Sequence, residues 1–295
     1  MIHSTENSQL LLTREQLDTL CAGGHIKIDT PLLFWELQHL INNGMVDLST
    51  DPNRHAWSTD SARTDGGDPD KNYILRTGAD KDAKHIFQYR NATEQEITAA
   101  GITCTETQTK MLNAMYEMHI WSMNTAKILW GQLRNHLKET YGMSISTDID
   151  VGSSLLRSLY YLPEKEFYAE PHIDLGLLTI AFPDMDTFGK PSPGLIMPGM
   201  TKPYKHSNNK ALVFLGGKAS MLTLPYINKK LLLAEDLKDA VLQPALHGAV
   251  RNTSHQPRFT QVYFAHCDVG LDLDELGLLF KEYYVQRARE LSFYP

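Results

Sequence analysis

His172-Ile173-Asp174-Leu175-Gly176-Leu177-Leu178-Thr179-Ile180 is the stretch on which the reading of this chain turns. Pro171 precedes it, and the residues around it suit an extended strand or strand end. Side chains two apart on a strand point to the same side. His172 and Asp174 therefore present an imidazole nitrogen and a carboxylate oxygen to one point. A His-x-Asp triplet recurs by chance in a chain with 12 histidines, so its weight depends on a third ligand from elsewhere. His247 supplies one, in the strand-like run LQPALHGAV (242–250), with the turn residue Gly248 beside it. Two histidines and one carboxylate on one face of an octahedron leave three positions open. That suits Fe(II) that must bind both a co-substrate and dioxygen. A structural zinc site closes four positions and often uses cysteine.

Eleven residues beyond His247 lies Arg258, and two further on Thr260, in RFTQVYF (258–264). Alternation puts the guanidinium and the hydroxyl on one face of that strand. An arginine fork pairs bidentately with a carboxylate, and a neighbouring hydroxyl adds a hydrogen bond. Such a pair would grip the far carboxylate of a small dicarboxylic acid whose 2-oxo-acid end would chelate the iron.

Short runs rich in β-branched and aromatic residues follow Gly142: 155–161, 176–182, 194–198, 211–216, 221–226, 241–250 and 259–267. Strands at this spacing predict a sandwich or barrel. Before them, Leu112, Met115, Met118, Ala126, Leu129, Leu133 and Leu137 recur at helical spacing, so 105–140 reads as a long helix with Gly142 as its stop. Thr30–Met45 reads as a shorter helix capped by Thr30, with Pro31 at its first position. Residues 51–72, rich in Asp, Gly, Ser and Pro, read as a loop, and Asp184-Met185-Asp186 as a solvated turn. The amphipathic tail, 271–291, reads as a closing helix. The expectation is one 295-residue domain, mainly β with flanking helices: a mostly helical region over 1–142, a β core over 150–267 and the C-terminal helix.

The formal net charge of −7 argues against a nucleic-acid or anionic-lipid partner. No run approaches a membrane span, and the N-terminus lacks the basic-then-apolar pattern of a signal peptide. Cys21, Cys104 and Cys267 are far apart and form no CxxC pair, which points to free thiols in a reducing, cytoplasmic compartment.

At its site residues the chain resembles the iron(II)/2-oxoglutarate-dependent oxygenase superfamily, in the branch containing isopenicillin N synthase. HIDLGLLTI (172–180) is similar to that branch's HxDxGxLT pattern. ALVFLGGKASMLT (211–223) resembles its strand and Gly-rich turn before the distal histidine, and HGAVRNTSHQPRFTQVYF (247–264) its distal-histidine strand and RxS motif, with Thr260 for serine. The long spacing from Asp174 to His247 implies insertions around 184–209 and 227–240. The resemblance implies a double-stranded β-helix, or jelly-roll, core. It implies Fe(II) held by His172, Asp174 and His247, 2-oxoglutarate as co-substrate on Arg258 and Thr260, and dioxygen. RSLYYLPEKEF (157–167) resembles the strand that often supplies a polar contact to 2-oxoglutarate, a role it assigns to Tyr160. Tyr89 and Arg90 lie where family members often carry substrate contacts. The implied activity is hydroxylation of an unactivated C–H bond of a small molecule, in specialised metabolism, coupled to decarboxylation of 2-oxoglutarate. Desaturation and ring formation stay open; halogenation is disfavoured because Asp174 is present. The alternatives are an isopenicillin-N-synthase-like oxidase that does not use 2-oxoglutarate and a non-enzymatic cupin-like binding protein.

Overall fold

A reciprocal capping box between Thr13 and Gln16 starts the first helix, α1 (Arg14–Cys21). The computed structural model describes residues 10–52, 57, 75–76, 84–163, 169–197, 200, 202–205, 209–223, 240–250 and 255–267. The tail at 271–291 and most of the 51–72 and 227–240 segments lie outside these. Strand β1 (His25–Asp29) follows, with Ile26 and Ile28 buried and Lys27 and Asp29 exposed, the alternation of a half-buried strand. Helix α2 (Phe34–Thr50) starts later than the Thr30–Pro31 pair predicts. The Thr30 amide donates to the Asn209 carbonyl and prolongs the β1 ladder, and the Pro31 carbonyl accepts from Phe34 in a turn. Tertiary pairing has claimed the backbone that the cap would have used.

Then come β2 (Leu75–Arg76), β3 (Lys84–Tyr89), α3 (Thr93–Ala99) and α4 (Glu106–Tyr141). A second capping box, Thr105 with Gln108, opens α4, and Gly142 in the left-handed region closes it. The strands after it are β4 (Asp150–Tyr161), β5 (Ala169–His172), β6 (Leu178–Ala181), β7 (Met185–Asp186), β8 (Leu195–Ile196) and β9 (Lys210–Leu215). Helix α5 (Gly217–Leu222), β10 (His247–Ala249) and β11 (Arg258–His266) complete the described chain. Residues 221 and 222 thus end a helix rather than begin the strand expected at 221–226.

The strands form two antiparallel sheets. The larger runs β1-β9-β6-β11-β4-β3-β2, with β7 also on β11; the smaller runs β5-β10-β8. From β4 onward the chain alternates between them: β4, β6, β9 and β11 lie in the large sheet, β5, β8 and β10 in the small one. Beside its helices the region 1–142 also supplies strands: β1 extends the large sheet at one flank and β3 with β2 at the other.

Period two on β11 decides what faces the site. Phe259, Gln261, Tyr263 and Ala265 are buried in the core that α2 and α4 build with Ile41, Met45, Met115, Met118 and Leu129. Gln261 donates to Asn42 and Ser158 and accepts from Gln38, which ties α2 to the sheet. The intervening Arg258, Thr260, Val262, Phe264 and His266 point the other way, toward the small sheet.

Candidate metal and co-substrate site

His172 ends β5 and His247 begins β10, and the two are direct partners across the antiparallel ladder. Their rings lie 4.5 Å apart. Asp174, two residues on, sits between them: Oδ1 is 3.6 Å from His172 Nε2, and Oδ2 is 3.5 Å from His247 Nε2. One ligand atom from each of the three lies within 4.8 Å of the others. The structure therefore brings together all three residues proposed from sequence as metal ligands.

His247 and Asp174 are held by chemistry that suits a metal. His247 Nδ1 lies 3.1 Å from the Ala245 carbonyl, which can only accept. Nδ1 donates to that carbonyl, which leaves Nε2 as the atom turned to the cluster. Phe214 packs on the same imidazole, 4.5 Å between centroids. Thr179 donates to Asp174 Oδ2 at 2.6 Å and fixes the carboxylate's rotation. The backbone of Asp174 is clamped too, since Gly217 N–H donates to its carbonyl at 2.7 Å. Only glycine fits at 216: a Cβ there would stand 2.3 Å from the Gly176 carbonyl oxygen. Burial by itself disfavours the Asp174 carboxylate, but the His247 and His172 rings, the Thr179 hydroxyl and Arg157 outweigh it and hold its pKa below the ordinary value. Asp174 and His247 are buried, whereas the His172 side chain is 44% exposed, so the cluster opens on that side.

Arg258 is 2% exposed. One Nη donates to the Val250 carbonyl at 3.0 Å, and the guanidinium lies over the Tyr161 ring at 4.4 Å. Its Nε is buried with no hydrogen-bond partner, and no carboxylate among the described residues pairs with it. Gly194 makes room, for a Cβ there would fall 2.2 Å from the guanidinium carbon. Thr260 is on the same face, as alternation requires, but its hydroxyl donates to Asp184 Oδ1 at 2.6 Å. The other Asp184 oxygen accepts from Gly194 N–H at 2.7 Å. Asp184 is only 4% exposed. The solvated turn expected at 184–186 is instead a buried support, with Met185 and Asp186 paired onto β11.

Tyr160 is a correction. Its direct partner across the ladder is Phe259, on which it stacks at 4.8 Å. Phe259 belongs to the helix-side core, so Tyr160 faces away from Arg258 and Thr260. The next residue, Tyr161, is the one on the site face, because a strand reverses direction at every step. Tyr89 likewise lies on the helix side, donating to Glu94. The residues that the sequence did not single out are Thr179, Gly194, Tyr161 and Arg157, and Asp184 it read only as part of a turn. Thr179 stood inside the quoted motif; the rest carry no local signal.

At the end of β11, burial first and then the charges of Lys218 and Arg157 push the His266 imidazole down to about 4. It is neutral at ordinary pH, beside cations.

No family model matches the chain, and no curated protein sequence does. Solved structures do. A full-length protein of Neurospora crassa, in complex with alpha-KG and 5-formyluracil, matches with a TM-score of 0.57 at 14% identity, over 86% of this chain and 78% of that one. AtDAO1, dioxygenase for auxin oxidation 1 from Arabidopsis thaliana, as its 2-oxoglutarate complex, matches with a TM-score of 0.56 at 15% identity over 88% of each chain. The rice dioxygenase for auxin oxidation matches with a TM-score of 0.54 at 13% identity, over 85% of this chain and 76% of that one. The chain has their fold. Among the described residues, no helix is long and apolar enough to cross a membrane.

Proposed function

We propose that this chain is an Fe(II)- and 2-oxoglutarate-dependent dioxygenase, built on a jelly-roll core, that oxidises a C–H bond of a small molecule, with hydroxylation as the default outcome. The observation that carries the reading is Arg258. It is a guanidinium at 2% exposure with no carboxylate partner among the described residues, on the same interior face as a two-histidine, one-carboxylate cluster. An uncompensated buried cation is costly, and a ligand carboxylate relieves that cost. Arg258 reaches the carbonyl of Val250, just beyond the strand that His247 begins, so its guanidinium lies on the side of the fold that carries the cluster. Similarity to proteins crystallised with alpha-KG or 2-oxoglutarate agrees with the reading.

His172, Asp174 and His247 would hold the iron, which with 2-oxoglutarate and dioxygen would supply oxidative decarboxylation coupled to C–H oxidation. The protein's own groups do the rest. His172, Asp174 and His247 offer three donors on one side and leave the other side open. The Nδ1–H bond of His247 and the Thr179 bond to Asp174 keep those donors from rotating away. Arg258 orients the co-substrate by its far end, and Tyr161, Gly194 and Phe214 wall the interior against water.

The test adds Fe(II) and 2-oxoglutarate to the metal-free protein without oxygen, then admits air. A visible charge-transfer band before air and succinate after it are expected, both dependent on Fe(II). Oxygen uptake that ignores 2-oxoglutarate would instead support an isopenicillin-N-synthase-like oxidase, with Arg258 gripping a substrate carboxylate. Absence of both metal binding and oxygen uptake would support a non-enzymatic barrel.

A further inference from the structure

On the inner face of β4, Leu155, Leu159 and Tyr161 flank a single charged side chain, Arg157. It stands beside Val262 on one neighbour and Gln88 on the other. Its guanidinium carbon lies 4.9 Å from the Phe264 ring centroid, so one planar face is taken by an aromatic surface. Phe264 in turn is the direct ladder partner of Thr179, the residue that holds Asp174. Arg157 is therefore one residue row from the metal cluster, and its charge acts on the Asp174 carboxylate.

The Arg157 Nε is buried with no hydrogen-bond partner, and no carboxylate among the described residues pairs with the side chain. Stacking on Phe264 returns only about 0.5–2 kcal/mol of the desolvation cost. Arg90 and the buried Lys218 add positive charge nearby, both acting on the same His266 ring that Arg157 does. Lys218 spends its ammonium on the Cys267 carbonyl, 3.3 Å away. With its face stacked, Arg157 has its N–H edge left for a ligand, and a planar fork carrying one charge matches one carboxylate.

We propose that Arg157, stacked on Phe264 beside the metal cluster, binds a carboxylate of the substrate, so that the oxidised molecule is an organic acid whose apolar part lies along Phe264, Val262 and Leu159. This rests on the function proposed above but names a residue and a substrate class that it does not require. Arg157 sets specificity here; Arg258, deeper on the same face, serves the co-substrate.

The test uses the whole chain loaded with Ni(II), which does not turn over, and saturated with 2-oxoglutarate. A panel of aryl and alkyl carboxylates, each paired with its primary amide, is titrated by calorimetry. At least one carboxylate should bind tenfold or more tightly than its amide. Arg157→Gln should abolish that preference, and Arg157→Lys, which keeps the charge but not the fork, should restore part of it. Two results overturn the proposal. One is a panel without any preference for the acid. The other is a preference that Arg157→Gln leaves intact while metal affinity falls, which would make Arg157 only an electrostatic partner of Asp174. Failure of the underlying oxygenase reading would show separately, as no succinate from the Fe(II)-loaded wild type.

Discussion

The metal cluster and the arginine floor lie in one interior but are stabilised in opposite ways. In the cluster, opposite character is already matched: Asp174 stands between two imidazoles and accepts from Thr179. Its parts are held by the small sheet and a clamped loop, and it is open on the His172 side. At the floor, Arg258 is enclosed by the large sheet and Gly194, yet no acid among the described residues pairs with it. A cluster that is locally satisfied can persist before its metal arrives. A buried cation without its counter-charge is a site whose ligand completes the electrostatics. An unpaired buried charge thus specifies its ligand more plainly than a set of donors does.

Four substitutions and a pH series press on that contrast. Asp174→Ala removes the group that both imidazoles face, so Fe(II) binding and succinate formation should be lost altogether; retained iron in a metal assay would refute the ligand assignment. Arg258→Ala should raise the half-saturating 2-oxoglutarate concentration about 100-fold, because truncating one partner of a buried charged pair costs several kcal/mol. An unchanged requirement would point to another anchor. Thr179→Val leaves Asp174 without its hydroxyl partner and should weaken Fe(II) binding about tenfold, measured by competition with a chelator, with the 2-oxoglutarate requirement little moved. Thr260→Val should change that requirement only a few-fold, since the Thr260 proton is committed to Asp184. A loss as large as that of Arg258→Ala would show that the hydroxyl turns to the co-substrate.

A control lies outside the site. His119 is fully buried between Tyr89 and Tyr263, and burial pushes its imidazole down to about 4. The folded state holds it neutral, while the unfolded chain protonates near pH 6.5. Its contribution is therefore present above pH 6.5 and lost as pH falls from there toward 4, by about 3 kcal/mol. Urea midpoints across that interval should fall less steeply in His119→Gln than in the wild type.

The site was legible where its chemistry is local. His172 and Asp174 are two apart on one strand end, and Arg258 and Thr260 are two apart on another, so period-two alternation alone put each pair on a common side. The long helix was legible too, from its helical spacing and from Gly142. Legibility failed at steps of one residue and at long range. Tyr160 and Tyr161 are equally plausible by type, and only the pairing of Tyr160 with Phe259 shows which of them faces inward. His25-Ile26-Lys27-Ile28-Asp29 alternates plainly, yet that it prolongs the large sheet depends on β9, nearly two hundred residues away.

Ligand types, their spacing and the strand faces they share follow from the sequence alone, because backbone geometry converts adjacent residue numbers directly into directions. It took the assembled fold to settle that His247 meets His172, that Asp184 takes the Thr260 proton, and that Arg258 and Arg157 are without an acid among the described residues. Those outcomes depend on which distant strands pair and on how much water they exclude. No local pattern encodes either, since burial and charge balance belong to the assembled interior.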